Sequence, residues 1–192
     1  MLTETSCEHC HLLYGQHLYN CPTLEKQKTE NTNMTINSFF GEYRFLSNFW
    51  TYPVEFEECV YLSVEHAYQA AKALDISLRV PFQYFLDEDI EKLSEQGIQH
   101  VNITATEAKK LSHKLPLRTD WEEVKLGIME GLLRQKFSFG TELKKQLDAT
   151  KGKNLIEGNS WHDTWWGCCT CSKHNSMGRN ELGKLLMQIR DE

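Results

Sequence analysis

Long apolar runs are missing from this sequence of 192 residues. Nothing approaches the roughly 18 consecutive apolar residues of a membrane-spanning helix, and Glu4 and Glu8 interrupt any secretory apolar stretch at the start. A cytosolic protein that makes no use of a membrane is therefore expected. Excess basic charge is missing too: 21 Lys and Arg stand against 27 Asp and Glu, a formal net charge of −6. That balance argues against a chain held to nucleic acid mainly by bulk charge and leaves open only a local basic groove. Neither a GxGxxG turn nor a Walker A loop occurs, which removes the two commonest phosphate-cradling signatures. Internal repeats and low-complexity tracts are also absent.

What remains is 40% hydrophobic, enough for one full domain with a small appendage. The seven cysteines fall into local groups: Cys7, Cys10 and Cys21; Cys59 alone; Cys168, Cys169 and Cys171. An odd, clustered set points to metal or thiol chemistry in a reducing compartment rather than to a disulfide framework. Cys7-x2-Cys10-x6-His17-x3-Cys21 supplies three thiolates and an imidazole, the donor set of a structural tetrahedral zinc site, at a spacing close to a zinc knuckle. His9 or His11 is an alternative nitrogen ligand. So short a segment has no core of its own, and zinc would supply its order. Knuckles engage single strands by stacking bases on aromatics, here Tyr14 and Tyr19, although few basic residues accompany them.

A polar run over residues 22–36 reads as a linker, so the expected domains are a zinc-binding segment over 1–21, that linker, and a main domain over 37–192. Phe39 to Tyr61 is aromatic-rich with partial alternation and predicts short strands or extended segments. Ser63 predicts the N-cap of a helix in which Val64, Ala67, Ala71 and Leu74 recur at helical spacing. Further helices are expected near 88–96, over 106–114 and from Thr119 to about Phe137. The last of these has a Thr119–Glu122 capping box and a stripe of Val124, Ile128, Met129 and Leu132. A short helix over 141–149, an irregular stretch to Arg179 and a closing helix with Leu182, Leu185, Leu186 and Ile189 complete an α+β pattern that is mainly helical with a few short amino-terminal strands.

In the helix after Ser63, residues Glu65, Gln69 and Lys72 fall at i, i+4 and i+7 and share one face. At 1.5 Å per residue the carboxylate and the ammonium start about 10 Å apart, within reach of one substrate atom for long side chains. Periodicity alone favours a solvated face with an ordinary surface lysine.

Six segments decide between these readings: Phe40-Gly41 with Leu46-Ser47-Asn48-Phe49; Ser63 to Lys72; Pro116-Leu117-Arg118 with Trp121; Met129 to Phe137; Asp163 with Trp166-Gly167; and Gly178-Arg179-Asn180-x-Leu182-Gly183-x-Leu185-Leu186-Met187. In this order and spacing the chain resembles the NADAR (YbiA-like) family over about residues 37 to 190. About a dozen extra residues stand between Asp75 and Asn102. The loop after Gly167 is replaced by Cys168-Cys169-Thr170-Cys171-Ser172-Lys173-His174, which is either a second metal or thiol cluster or a plain loop, since adjacent cysteines do not easily share one zinc.

The resemblance implies an N-glycosidase acting on ribosyl groups joined to nitrogen, with no redox cofactor. The expected substrate is ADP-ribose attached to guanine in DNA, with small phosphoribosyl amines of riboflavin synthesis as the alternative. A non-catalytic ADP-ribose-binding module is a third reading, against which the retained Glu65 and Lys72 argue. The resemblance implies Lys72 as the amine that forms a Schiff base with the opened sugar, its pKa lowered by neighbouring aromatics, and Glu65 as the proton shuttle. Asn48 and Phe49 are implied at the sugar or base, Asp163 at ribose hydroxyls, Trp166 in stacking, and Arg179 with Asn180 at phosphate through side-chain and backbone donors. Arg118 is a weaker phosphate candidate. Gly167, Gly178 and Gly183 are expected to permit turns and close packing rather than to touch ligand.

Overall fold

The computed structural model describes residues 34–96 and 99–192. The expected zinc segment and nearly all of the expected linker lie outside these residues. Two compact units are present: one joins the described residues before Phe39 to Gly152–Gly183, and the other joins Phe39–Lys151 to Lys184–Glu192. No helix among the described residues is long and apolar enough to cross a membrane.

In the first unit, strand β1 (Thr35–Ile36) pairs in parallel with β4 (Asn154–Leu155), and β5 (Gly158–Asn159) pairs in parallel with β6 (Cys168–Cys169). Strand β1 occupies the end of the expected linker. Ile36 is the reason, because its side chain is buried and its carbonyl accepts from the Ile156 N–H at 2.8 Å. Backbones cross closely in this unit. A Cβ on Gly167 would stand 2.1 Å from the Glu157 oxygen, and one on Gly178 would stand 2.0 Å from the Gly167 oxygen. These glycines therefore serve backbone approach, as their sequence context suggested. Gly178→Ala is expected to cost about 3 kcal/mol, because a main-chain oxygen cannot swing aside as a flexible side chain does. A thermal melt showing a Tm within a degree of the parent would contradict this.

The second unit opens with a 3-10 helix (Gly41–Leu46) where the aromatic content predicted extended chain. The predicted strands follow as a hairpin of β2 (Val54–Phe56) and β3 (Cys59–Tyr61), closed by Glu57 and Glu58 in the left-handed region at φ 46° and 65°. Buried Arg79, in a second 3-10 helix (Ile76–Phe82), ion-pairs with Glu57 and donates from Nε to the Ala73 carbonyl at 2.8 Å. Helix α1 (Val64–Ala70) begins at Ser63, whose hydroxyl accepts from the His66 N–H, and all seven of its residues are buried. It packs against α3 (Ala105–Ser112) and α4 (Trp121–Lys136). Leu74, counted in the apolar stripe from the sequence, lies past the helix end and is 66% exposed.

Between them, α2 (Asp87–Glu95) buries no residue. The segment containing it is drawn together at its base by Asn102, whose carboxamide accepts from the Phe85 N–H and donates to the Phe85 carbonyl at 3.1 and 2.8 Å. Helix α3 carries a capping box of Thr104 and Glu107. In α4 the expected Thr119–Glu122 box does not form. Asp120 is the N-cap, and its carboxylate is taken by Arg118. The buried stripe of α4 is Trp121, Lys125, Met129, Leu132, Leu133 and Lys136, while Val124 and Ile128 are only half-buried. Lys136 is fully buried and donates to the Ser47 carbonyl at 2.7 Å. Short α5 (Glu142–Asp148) follows, and α6 (Glu181–Asp191) closes the chain with Leu182, Leu185, Leu186 and Ile189 buried as predicted.

Candidate active site

The second unit brings together the residues expected to do chemistry. Glu65 is 5% exposed, and its Oε1 accepts from Gln69 Nε2 at 2.8 Å. The Gln69 carbonyl oxygen in turn accepts from the Ser112 hydroxyl, so α3 fixes the rotamer of a side chain that orients the carboxylate. The Glu65 backbone N–H donates to the Asn48 carbonyl at 3.0 Å, tying the helix start to the Ser47–Asn48 turn. Burying a carboxylate is costly unless its oxygens are hydrogen-bonded, and this chain of amide and hydroxyl meets part of that need.

Lys72 lies two residues beyond the end of α1. Its N–H donates to the Gln69 carbonyl at 3.4 Å, and its own carbonyl accepts from the Arg118 N–H at 2.8 Å. Its ammonium sits 5.8 Å from the centre of the Tyr68 ring and 5.9 Å from that of Trp121, and these rings are themselves 5.0 Å apart. Loss of water in this aromatic corner holds the Lys72 pKa below the ordinary lysine value. The Glu65 charge pulls it partly back up, and Lys109 pushes it further down. Contact with the ring faces favours the cation, but desolvation outweighs it. The result is an amine more often neutral near neutral pH than a surface lysine, as imine chemistry requires.

Asn48 is buried, with Nδ2 3.5 Å from the Met129 sulfur and Oδ1 without a hydrogen-bond partner. An orphaned buried acceptor is costly unless a ligand donor meets it. Phe49 lines a cavity of about 370 Å³ together with Arg44, Leu62, His66, Asn102 and Ile103; Glu65 and Lys72 do not line it. His66 is fixed by its neighbours, with Nδ1 2.8 Å from the Ser63 hydroxyl and Nε2 2.9 Å from the Ile103 carbonyl. Burial lowers its pKa against the opposing pull of that carbonyl. The neutral ring, donating from Nε2, satisfies both contacts. Arg118 does not stand ready for phosphate: its Nε and Nη2 grip Asp120 at 2.6 and 2.9 Å, and Nη1 reaches the Ala71 carbonyl at 3.4 Å. It braces the turn that carries Lys72.

The remaining candidates belong to the first unit. Asp163 Oδ1 accepts from the N–H groups of Trp165 and Trp166 at 3.0 and 2.9 Å, and the Asn159 carboxamide holds the Asp163 backbone from both sides. Oδ1 is thus committed to the turn, while Oδ2 takes no part in these bonds. Trp166 follows in that turn, half-buried. The exposed guanidinium of Arg179 lies 4.3 Å over the Trp165 ring. Backbone donors at this helix start are largely spent internally: the N–H groups of Arg179, Glu181 and Leu182 go to the carbonyls of Thr164, Trp165 and Trp166. Asn180 is likewise a structural residue. It sits at φ 54°, its Oδ1 accepts from the Glu157 N–H at 2.9 Å, and its Nδ2 donates to the Leu155 carbonyl at 2.8 Å. Of the Arg179–Asn180 expectation, the Arg179 side chain and the Asn180 N–H take no part in these bonds. His162, Cys169, Cys171 and His174 also converge in this unit. The expected zinc ligands Cys7, Cys10, His17 and Cys21 lie outside the described residues.

Sequence reasoning did not single out Tyr68, Ser112 or Lys109. Tyr68 lay at i+3 from Glu65, so helical spacing held the signal. Ser112 and Lys109 come from a distant segment and gave none.

A family model described as the NADAR domain matches residues 32–192. The chain is 31% identical over 163 residues to the N-glycosidase YbiA of Escherichia coli strain K12, covering 85% of this chain and 89% of that one. It is 31% identical over 150 residues to a riboflavin biosynthesis protein of Vibrio vulnificus strain YJ016, covering 77% of this chain but only 35% of that protein. The NMR structure of E. coli YbiA superposes with a TM-score of 0.60 at 29% identity, covering 82% of this chain and 84% of that one.

Proposed function

This chain belongs to the NADAR domain family and is an N-glycosidase, a hydrolase of N-glycosyl bonds, and we propose that the bond it cleaves joins ADP-ribose to a guanine base of DNA. The observation that carries the chemistry is Lys72, an amine desolvated between Tyr68 and Trp121 and placed on the same side of the α1 segment as buried Glu65. Glu65 delivers a proton to the sugar ring oxygen, and the ring opens to an iminium at C1. The Lys72 amine adds to C1, a proton passes to the base nitrogen, and the base leaves with the C1–N electron pair. Water then adds to the protonated Lys72 imine, which collapses to the free sugar and the neutral amine and returns a proton to Glu65. Asn48 Oδ1 is a ready acceptor for a sugar hydroxyl or a base N–H. Support for a nucleic-acid substrate comes from Cys7, Cys10, His17 and Cys21, an adaptor that a freely diffusing metabolite does not need.

Incubation with ADP-ribosylated duplex DNA, read by chromatography of free ADP-ribose, tests this directly. Release is expected, and removal of residues 1–33 should weaken it on DNA more than on a small substrate. The riboflavin-named relative favours a second reading, hydrolysis of a small phosphoribosyl amine. Turnover of that amine with none of the DNA adduct would establish it in place of the first.

The pH dependence follows from the charges around Lys72. The reactive amine accumulates as pH rises, so the rising limb of kcat/KM should lie below the usual lysine range near about 10.4. Lys109 lowers the Lys72 pKa, so Lys109→Glu removes that push and adds a nearby anion. The limb is then expected to move to higher pH, with the high-pH plateau kept within a few fold. A limb that stays in place or moves down would exclude Lys72 as the titrating group.

A further inference from the structure

The loop of the first unit that follows β5 gathers four soft donors. His162, Cys169, Cys171 and His174 each offer one ligand atom, and these four atoms all lie within 4.8 Å of one another. The Cys171 sulfur is 3.3 Å from His162 Nδ1 and 3.1 Å from His174 Nδ1, and the two Nδ1 atoms are 3.5 Å apart. Around a tetrahedral zinc with bonds of about 2.3 Å to sulfur and about 2.05 Å to nitrogen, neighbouring ligands stand about 3.4 Å apart for two nitrogens and about 3.6 Å for sulfur and nitrogen. The observed edges match these to within half an ångström.

Hydrogen bonds explain the arrangement less well. Thiol and imidazole protons can bridge these donors in pairs, the Cys169 thiol against the Cys171 sulfur included, but pairwise bonds call for no common centre among four donors. A central divalent cation meets all four lone pairs at once, and two thiolates with two neutral imidazoles cancel its charge. That neutrality matters because Cys169 is fully buried and a lone thiolate there would be costly. Three residues of the loop hold positive φ without being glycine: His162 at 71°, Asn175 at 47° and Ser176 at 64°. Such conformations persist where something else fixes the chain.

We propose that His162, Cys169, Cys171 and His174 form a structural Cys2His2 zinc site. Four protein ligands leave no open position, so the metal acts as a staple and not as a Lewis acid. It encloses the Asp163–Gly167 turn between its first and second ligands and thereby sets the position of Trp165 and Trp166. Cys168 is excluded, since its thiol lies against the Gly178 carbonyl at 3.8 Å. This removes the objection that adjacent cysteines cannot share one ion. Its ligand set shares no residue with the amino-terminal Cys/His segment and stands whatever the substrate is.

The test uses the full chain carrying Cys7→Ser and Cys10→Ser, so that the amino-terminal ligands do not contribute, expressed with zinc and assayed by elemental analysis. One zinc per chain is expected, falling at least tenfold when Cys171→Ser and His174→Ala are added. Absence of zinc from the first protein, or an unchanged content in the second, overturns the proposal. Should the second protein fail to fold, cobalt(II) loaded into the first still decides: intense ligand-field bands of a tetrahedral ion with thiolate charge transfer support the site. The weak spectrum of an octahedral ion refutes it.

Discussion

Lys72→Ala is expected to lower glycosidic cleavage by about two orders of magnitude or more, and Lys72→Arg is expected not to restore it. A guanidinium remains protonated at any pH the fold survives and cannot add to C1 as an amine does. The burial beside Tyr68 and Trp121 that depresses the lysine pKa would hold the arginine without making it reactive. Borohydride added during turnover should trap a sugar on the wild type and nothing on Lys72→Ala. Near-normal activity of Lys72→Arg, together with no trapped adduct, would reduce Lys72 to an electrostatic role and leave Glu65 to activate water directly.

Glu65→Gln separates chemistry from architecture in the same site. A glutamine oxygen can accept from Gln69 Nε2 as the carboxylate oxygen does, so the thermal midpoint should change little while cleavage falls by about two orders of magnitude for want of a proton donor. A second readout follows from charge. The Glu65 carboxylate raises the Lys72 pKa against desolvation, so residual activity in Glu65→Gln should titrate at lower pH than the parent, opposite in direction to Lys109→Glu. A structural ion pair alone would show the stability loss and leave the rate nearly intact, and that result would remove Glu65 from the mechanism.

How much of this was legible in the sequence depended on how local the cause was. Ser63 as a cap, Glu65 and Gln69 on one face, and the apolar residues of the closing helix follow from spacings within one or two turns. The stripe of α4 was misread because two of its buried members, Lys125 and Lys136, are cations that a hydrophobic pattern assigns to solvent. One pairs with Glu122 at the helical i, i+3 spacing, and the other with the Ser47 carbonyl 89 residues away, a partner that no periodicity signals. The left-handed backbone of Asn180 and the grip of its side chain on Leu155 and Glu157 were not legible, because both are tertiary facts. Cys168 and Cys169 looked like a poor metal pair because adjacency is visible in sequence, whereas the approach of His162 to Cys171 depends on how the intervening turn folds.

The pinch at Asn102 has a consequence for how the fold tolerates change. Since one carboxamide closes the segment from Phe85 onward like a rung of strand pairing, and α2 buries nothing, the core draws nothing from that helix, and of the residues between the anchor points it is His100 whose ring packs on Phe85. The entropy of closing such a loop grows only with the logarithm of its length. The stretch is therefore an exchangeable module: it can be shortened, lengthened or rewritten at little thermodynamic cost so long as residues 85 and 102 still meet. Because Asn102 and Ile103 also wall the 370 Å³ cavity beside Phe49 and His66, the pairing that closes the module also holds one wall of that cavity in place.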